Sequence, residues 1–261
     1  MMNSGPLAGR RAVVTGAGSG IGRATVARLA ADGAVVAAVD VRRDAAEEAV
    51  ADVVAGGGTA TALGADVGDE AAMGAAVAEA VASMGGLDTV VACAGITFAG
   101  ATDELTLDAW ETMLRVNLTG VFLTLKPALP HLVAAGGGAV VTIGSTASLV
   151  AAGRTSAYDA SKGGVLQLTR AVAVEYVDRG IRANCVCPGV VRTGLARNSE
   201  ALTDLRADPA LGPAPAARVR VPMERAADPA EVASVVAFLC SDDASFLTGA
   251  AVPVDGGYTA V

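Results

Sequence analysis

The stretch "VVTGAGSGIGRA", Val13 to Ala24, decides how this chain folds. A short apolar run ends at Thr15, four glycines fall between Gly16 and Gly22, and a helix-forming segment follows. Gly16, Gly20 and Gly22 stand in a G-x-x-x-G-x-G spacing, not the G-x-G-x-x-G of the broader dinucleotide-binding set. The physics is shared. Glycines let the backbone approach a diphosphate, and free N–H groups at a helix N-terminus meet its negative charge. Thr15, Gly16, Gly18, Ser19, Gly20, Ile21 and Gly22 are therefore expected around such a group.

Outward from this turn the chain alternates short apolar runs with Ala-rich amphipathic segments. Strands are expected at 11–16, 34–40, 59–66, 87–95, 138–145, 181–189 and 250–257, each β-branched and bounded by Gly or Asp. Helices fit roughly at 20–32, 43–55, 69–84, 107–135 with a break, 156–179 and 228–240. Near-continuous apolar strands alternating with helices predict a parallel sheet covered on both faces. The expected fold is α/β: one Rossmann-like doubly wound domain over residues 1–261, with a seven-stranded parallel sheet. Residues 193–221 break the rhythm. They are rich in proline and read as a loop that lids a site.

Composition excludes several functions. At 52% hydrophobic and 3% aromatic, the core must be built of Ala, Val and Leu. A net charge of −8 without a basic stripe argues against a nucleic-acid partner. No uncharged apolar run approaches a membrane span, and the start has no signal-peptide core, so a cytoplasmic protein is expected. Cys93, Cys185, Cys187 and Cys240 then read as reduced thiols, Cys93 as a buried spacer. With His131 the single histidine, neither a His-rich metal site nor a Ser-His-Asp triad is expected.

Two positions carry chemistry. Asp40 closes the second strand, where a carboxylate accepts from both ribose hydroxyls of an adenosine and repels a 2′-phosphate. Tyr158 and Lys162, from a chain with three tyrosines and two lysines, are i,i+4 on one helix face. A free phenol titrates near ~10, and an ammonium a few Å away favours its phenolate. Such a pair suits proton exchange with an alcohol or a carbonyl.

Along essentially its whole length the chain resembles the short-chain dehydrogenase/reductase family. The likeness rests on Thr15-Gly16-x-x-x-Gly20-x-Gly22, on Tyr158-x-x-x-Lys162, on Ser145 in "IGSTAS", on Asn117 in "RVNLTG", on Asp66-Val67, on "CPGVVRT" and on the closing "VPVDGG". The family's usual N-N-A-G reads Ala92-Cys93-Ala94-Gly95 here, which puts local hydrogen bonding in doubt. The resemblance implies a catalytic set of Asn117, Ser145, Tyr158 and Lys162. It implies cofactor contacts from the glycine turn, Asp40, Val41, Asp66, Val67, Ala94, Gly95, Tyr158, Lys162, Pro188, Gly189, Val191 and Thr193. It also implies that Asn117 locally breaks its helix.

The expectation is hydride transfer between a secondary alcohol or ketone and NAD, with NADP disfavoured by Asp40, in a homotetramer. Ile96, Phe98, Ser145, Leu149, Val150, Val190 and Leu195 are the expected, mostly apolar, substrate wall. Two alternatives stand beside it. One is an NAD-binding sensor without turnover. The other is a 3-oxoacyl thioester reductase of the same family, whose carrier would want a basic rim from Arg154, Arg192 and Arg197. The enoyl-reducing branch spaces its Tyr and Lys more widely than four.

Overall fold

The structure, a computed structural model, describes residues 5–151, 153–202, 211–212 and 221–261. Each of the seven apolar runs becomes a strand: β1 (Arg11–Thr15), β2 (Val35–Asp40), β3 (Thr59–Gly64), β4 (Thr89–Ala92), β5 (Gly138–Ile143), β6 (Ile181–Pro188) and β7 (Ala251–Val254). All pairings are parallel, in the order β3-β2-β1-β4-β5-β6-β7. The order reverses between β1 and β4, so their C-terminal ends splay and leave a crevice.

The helices are α1 (Gly20–Ala31), α2 (Arg43–Ala55), α3 (Glu70–Met84), α4 (Leu107–Leu114), α5 (Gly120–Ala134), α6 (Ser156–Tyr176), α7 (Leu195–Leu202) and α8 (Pro229–Cys240). Local chemistry sets their ends. Asp69 caps α3 by accepting from the Ala72 N–H, and Asp228 with Glu231 forms a capping box at α8, where Pro229 takes the first turn. Strand alternation divides the core. Val13 faces one layer with Met73 of α3, Leu125 and Leu129 of α5 and Val165 of α6. Ala12 and Val14 face the other, with Val26 and Leu29 of α1, Val53 of α2 and Val236 of α8. This is the doubly wound sheet expected from the sequence.

Two features refine the expectation. The break inside 107–135 is a π-helical turn, Arg115–Thr119, between α4 and α5. Residues 195–202 form helix α7 inside the stretch expected to be a loop, and residues 203–210 and 213–220 of that stretch lie outside the described residues. Among the described residues no helix is long and apolar enough to cross a membrane.

Candidate active site

A cavity of about 490 Å³ opens over the C-terminal ends of β1, β2, β4, β5 and β6. Its floor is the glycine turn. Gly16 takes φ +66, and a Cβ there would lie 2.8 Å from Ala94 Cα, so no other residue lets these two strand ends approach so closely. Ser19 precedes α1 but makes no side-chain cap bond to it, which leaves the first N–H groups of α1 for a ligand. Its hydroxyl accepts instead from Asn198 Nδ2 of α7, 3.1 Å away.

Thr15 does not line the cavity. It is 1% exposed, and its Oγ1 accepts from the N–H groups of Cys93 and Ala94 at 3.1 and 3.3 Å. A threonine thus fixes the end of β4 where the family usually has asparagines. Gly18 also lies off the lining and donates its N–H to Asp40 Oδ2 at 2.9 Å. Asp40 Oδ1 accepts from the Arg42 N–H at 2.9 Å, so the carboxylate is fixed at the cavity wall beside Val41. Asp66 and Val67 line the same end; so does Arg115, whose Nη1 donates to Asp66 Oδ2 at 2.9 Å.

At the other end Ser145, Tyr158 and Lys162 converge. Lys162 is 4% exposed; its Nζ donates to the Ile143 carbonyl at 2.9 Å and lies 5.8 Å from the Tyr158 ring centroid. Among the described residues no carboxylate pairs with it. A buried ammonium with one carbonyl partner keeps two donors for a ligand. Ser148 joins the segments that carry Ser145 and Lys162: its Oγ accepts from the Ser145 N–H at 3.2 Å and donates to the Lys162 carbonyl at 2.8 Å.

Asn117, fully buried in the π turn, stands behind this end rather than in it. Its Oδ1 accepts from the Ile96 N–H at 2.8 Å, and its Nδ2 donates to the Ile96 carbonyl at 3.0 Å and Ser161 Oγ at 3.2 Å. Ser161 Oγ in turn donates to the Tyr158 carbonyl at 2.7 Å. Asn117 thereby holds both the Ile96 wall and the α6 turn that carries the tyrosine.

Ile21, Gly95, Ile96, Pro188, Gly189, Val190, Val191, Thr193 and Leu195 line the cavity as the sequence expects. Phe98, Leu149 and Val150 do not; Phe98 packs with Ile96, Met113 and Trp110, and the other two are exposed. Cys93 lines the cavity and is only partly buried, which corrects its reading as a buried spacer. Desolvation pushes its thiol up to about 12 against the pull of Lys162. Thr97, Arg115 and Asn198 are lining residues that the sequence reading missed. Helix α7 docks over this cavity: Ser199 Oγ accepts from the Thr97 N–H at 2.8 Å, and Ala99 and Gly212 exchange backbone bonds.

The chain was compared with known proteins. A family profile described as "Enoyl-(Acyl carrier protein) reductase" matches residues 16–259. The chain is 41% identical over 249 residues to a cyclohexanol dehydrogenase of Acinetobacter sp. (strain SE19), covering 95% of this chain and 94% of that one. It is 45% identical over 256 residues to a cis-4-hydroxycyclohexanecarboxylate dehydrogenase of Sinomonas cyclohexanicum, covering 98% of each. The crystal structure of a short-chain type dehydrogenase/reductase from Mycobacterium marinum superposes with a TM-score of 0.87 at 32% identity, covering 98% of this chain and 97% of that one.

Proposed function

The chain belongs to the short-chain dehydrogenase/reductase family, and from that premise we propose that it interconverts a secondary alcohol and a ketone with NAD as its preferred cofactor. The observation that carries this reading is Lys162: a buried ammonium with no carboxylate partner among the described residues, lining the cavity beside Tyr158 and Ser145.

The cavity fits a nicotinamide dinucleotide by its own geometry. The bare Gly16 backbone and the uncapped start of α1 suit a diphosphate, with Ser19, Gly20, Ile21 and Gly22 around it. Asp40 and Val41 would hold the adenosine ribose, Asp66 and Val67 the base, and Ala94, Gly95, Pro188, Gly189, Val191 and Thr193 the remainder. When bound, the nicotinamide ring supplies or accepts the hydride. Everything else falls to the chain. Ser145 donates to the substrate oxygen. Tyr158 gives that oxygen a proton in reduction and takes it in oxidation. Lys162 stabilises the phenolate and keeps donors for the ribose. These groups converge on the oxygen on which negative charge grows.

Asp40 supports NAD over NADP. Its two oxygens are already pinned by Gly18 and Arg42 N–H groups, so it cannot easily swing away from a 2′-phosphate. Two anions ~4 Å apart repel by about 2 kcal/mol at an effective dielectric of ~40, a preference of about tenfold or more. Arg43 is turned to Glu47 at 3.0 Å, which leaves Arg42 as the neighbouring cation on the cavity.

The substrate proposed is an alicyclic secondary alcohol. The apolar wall of Ile96, Val190 and Leu195 beside Ser145 suits a ring, and the two relatives named above are dehydrogenases of cyclohexanol and a hydroxycyclohexane carboxylate. The tyrosine–lysine spacing of four speaks against C=C reduction, whatever the family description says. A basic rim for a carrier-bound thioester is weakened because Arg154 pairs with Glu104 and Arg192 with Asp228. Alcohol oxidation is the proposed direction. Exposed Phe122, Val174, Phe238 and Phe246 support a symmetric homo-oligomer, which light scattering would test against the 25.6 kDa chain.

The experiment is a panel of cyclic and acyclic secondary alcohols with NAD and with NADP, following reduced nicotinamide absorbance. Turnover of cyclohexanol-type substrates with NAD is expected. Tight NAD binding with no turnover across the panel would favour the sensor reading instead.

A further inference from the structure

At the adenosine end of the cavity stands an ion pair that neither the fold nor the hydride chemistry requires. Arg115 Nη1 donates to Asp66 Oδ2 at 2.9 Å, and both residues line the cavity. Asp66 Oδ1 accepts from the Gly68 N–H at 2.8 Å. The guanidinium lies across the bare backbone of Gly68: a Cβ there would overlap Arg115 Nη1 and sit 3.1 Å from its Cγ and Cζ. The two side chains are 48% and 41% exposed, so the pair adds little to stability. What it does is fix direction. A carboxylate has about four acceptor sites. Here one site on each oxygen is taken, by a backbone N–H and by a planar fork pressed onto a glycine. Together these bonds favour one orientation of the free sites.

We propose that Arg115 is a specificity-determining residue that locks the Asp66 carboxylate as acceptor for the 6-amino group of the cofactor's purine, so that the protein selects adenine over 6-oxopurine dinucleotides. The proposal rests on the reading of this cavity as a nicotinamide dinucleotide site. The chemistry is one of sign. A 6-amino group brings a donor to a fixed anion. A 6-oxo group brings lone pairs, and a carboxylate held in that orientation leaves them facing its own. If Asp66 were free to rotate, it could yield to either base.

The test measures binding by calorimetry on the purified chain without any alcohol, comparing NAD with nicotinamide hypoxanthine dinucleotide. The wild type is expected to prefer NAD by about tenfold or more, the scale of one misplaced polar contact. Arg115→Ala should cut that preference to roughly threefold or less, chiefly by weakening NAD. In an Asp66→Asn background, where the amide can present either sign, Arg115→Ala should change the preference no further. Equal weakening of both dinucleotides by Arg115→Ala would overturn the proposal. So would the same loss of preference with and without Asp66. The two readings separate cleanly. Base preference without alcohol turnover would contradict the dehydrogenase reading alone, and turnover without base preference would contradict this one alone.

Discussion

The two ends of the cavity are built from different materials. At the Tyr158 end Lys162 and Asn117 are buried, and their bonds run to neutral groups, among them Ile143 O, both backbone polar atoms of Ile96 and Ser161 Oγ. At the Asp40 end Asp40, Asp66 and Arg115 are partly exposed and are held by charges and by the N–H groups of Gly18, Arg42 and Gly68. Bonds among buried groups at the first, drier end are worth more and are screened much less by salt, whereas charges at the second, wetter end are both screened and adjustable. Under the proposed function, the difference assigns turnover to one end and cofactor choice to the other. Substitutions at the two ends should therefore separate into kcat effects and affinity effects.

The largest effect expected is that of Tyr158→Phe. Removing the proton donor should lower kcat by ~10²–10⁴-fold with cofactor affinity near wild type. A mutant that keeps more than about a tenth of wild-type kcat would break the assignment of chemistry to this end. Next comes Asn117→Ala. It strands the Ile96 N–H and carbonyl in a buried site, at a cost of about 1–3 kcal/mol in denaturant unfolding for each group left unpaired, and it lowers kcat by loosening the α6 turn. An unchanged unfolding midpoint would show that the dry end does not depend on these bonds.

At the wet end, Asp40→Ala should shift the NAD/NADP ratio of kcat/KM toward NADP by about tenfold or more and leave kcat with NAD nearly unchanged. An unchanged ratio would remove Asp40 from the argument.

The smallest effect lies behind the cavity, where Asp255 backs Gly189 and closes the last turn. Burial pushes its carboxyl up, but hydrogen bonds from Thr259 and Gly257 outweigh this and leave it below the usual carboxylate range. A depressed carboxyl stabilises the fold above its unfolded pKa and loses that contribution as pH falls through the folded value. Asp255→Asn should thus destabilise by about 1 kcal/mol at neutral pH, with the gap closing below pH ~4. A gap in Tm independent of pH would assign the loss to packing instead of charge.

Much of this was legible in the sequence because it depends on local pattern. Apolar β-branched runs bounded by Gly or Asp place the strands within a few residues, and the i,i+4 spacing alone puts Tyr158 and Lys162 on one face. What was hidden depends on contacts far apart in the chain. Helix α7 is short and starts after Gly194; its ties run to Ser19 and Thr97, which no local periodicity reports. Arg115 meets Asp66 across 49 positions, over a glycine whose role appears only when the guanidinium is in place. Thr15 occupies the motif position expected of it, yet its hydroxyl serves Cys93 and Ala94 rather than the cavity, because spacing fixes a residue's place and not the direction of its side chain.

The most direct measurement of the central claim uses cyclohexanol deuterated at the carbinol carbon, with NAD and the wild-type protein. The account predicts that each turnover leaves the deuterium on the nicotinamide ring, with cyclohexanone formed in equal amount and a primary isotope effect on kcat/KM. Absence of turnover with this and every other secondary alcohol tried, or loss of the label to solvent, would contradict it.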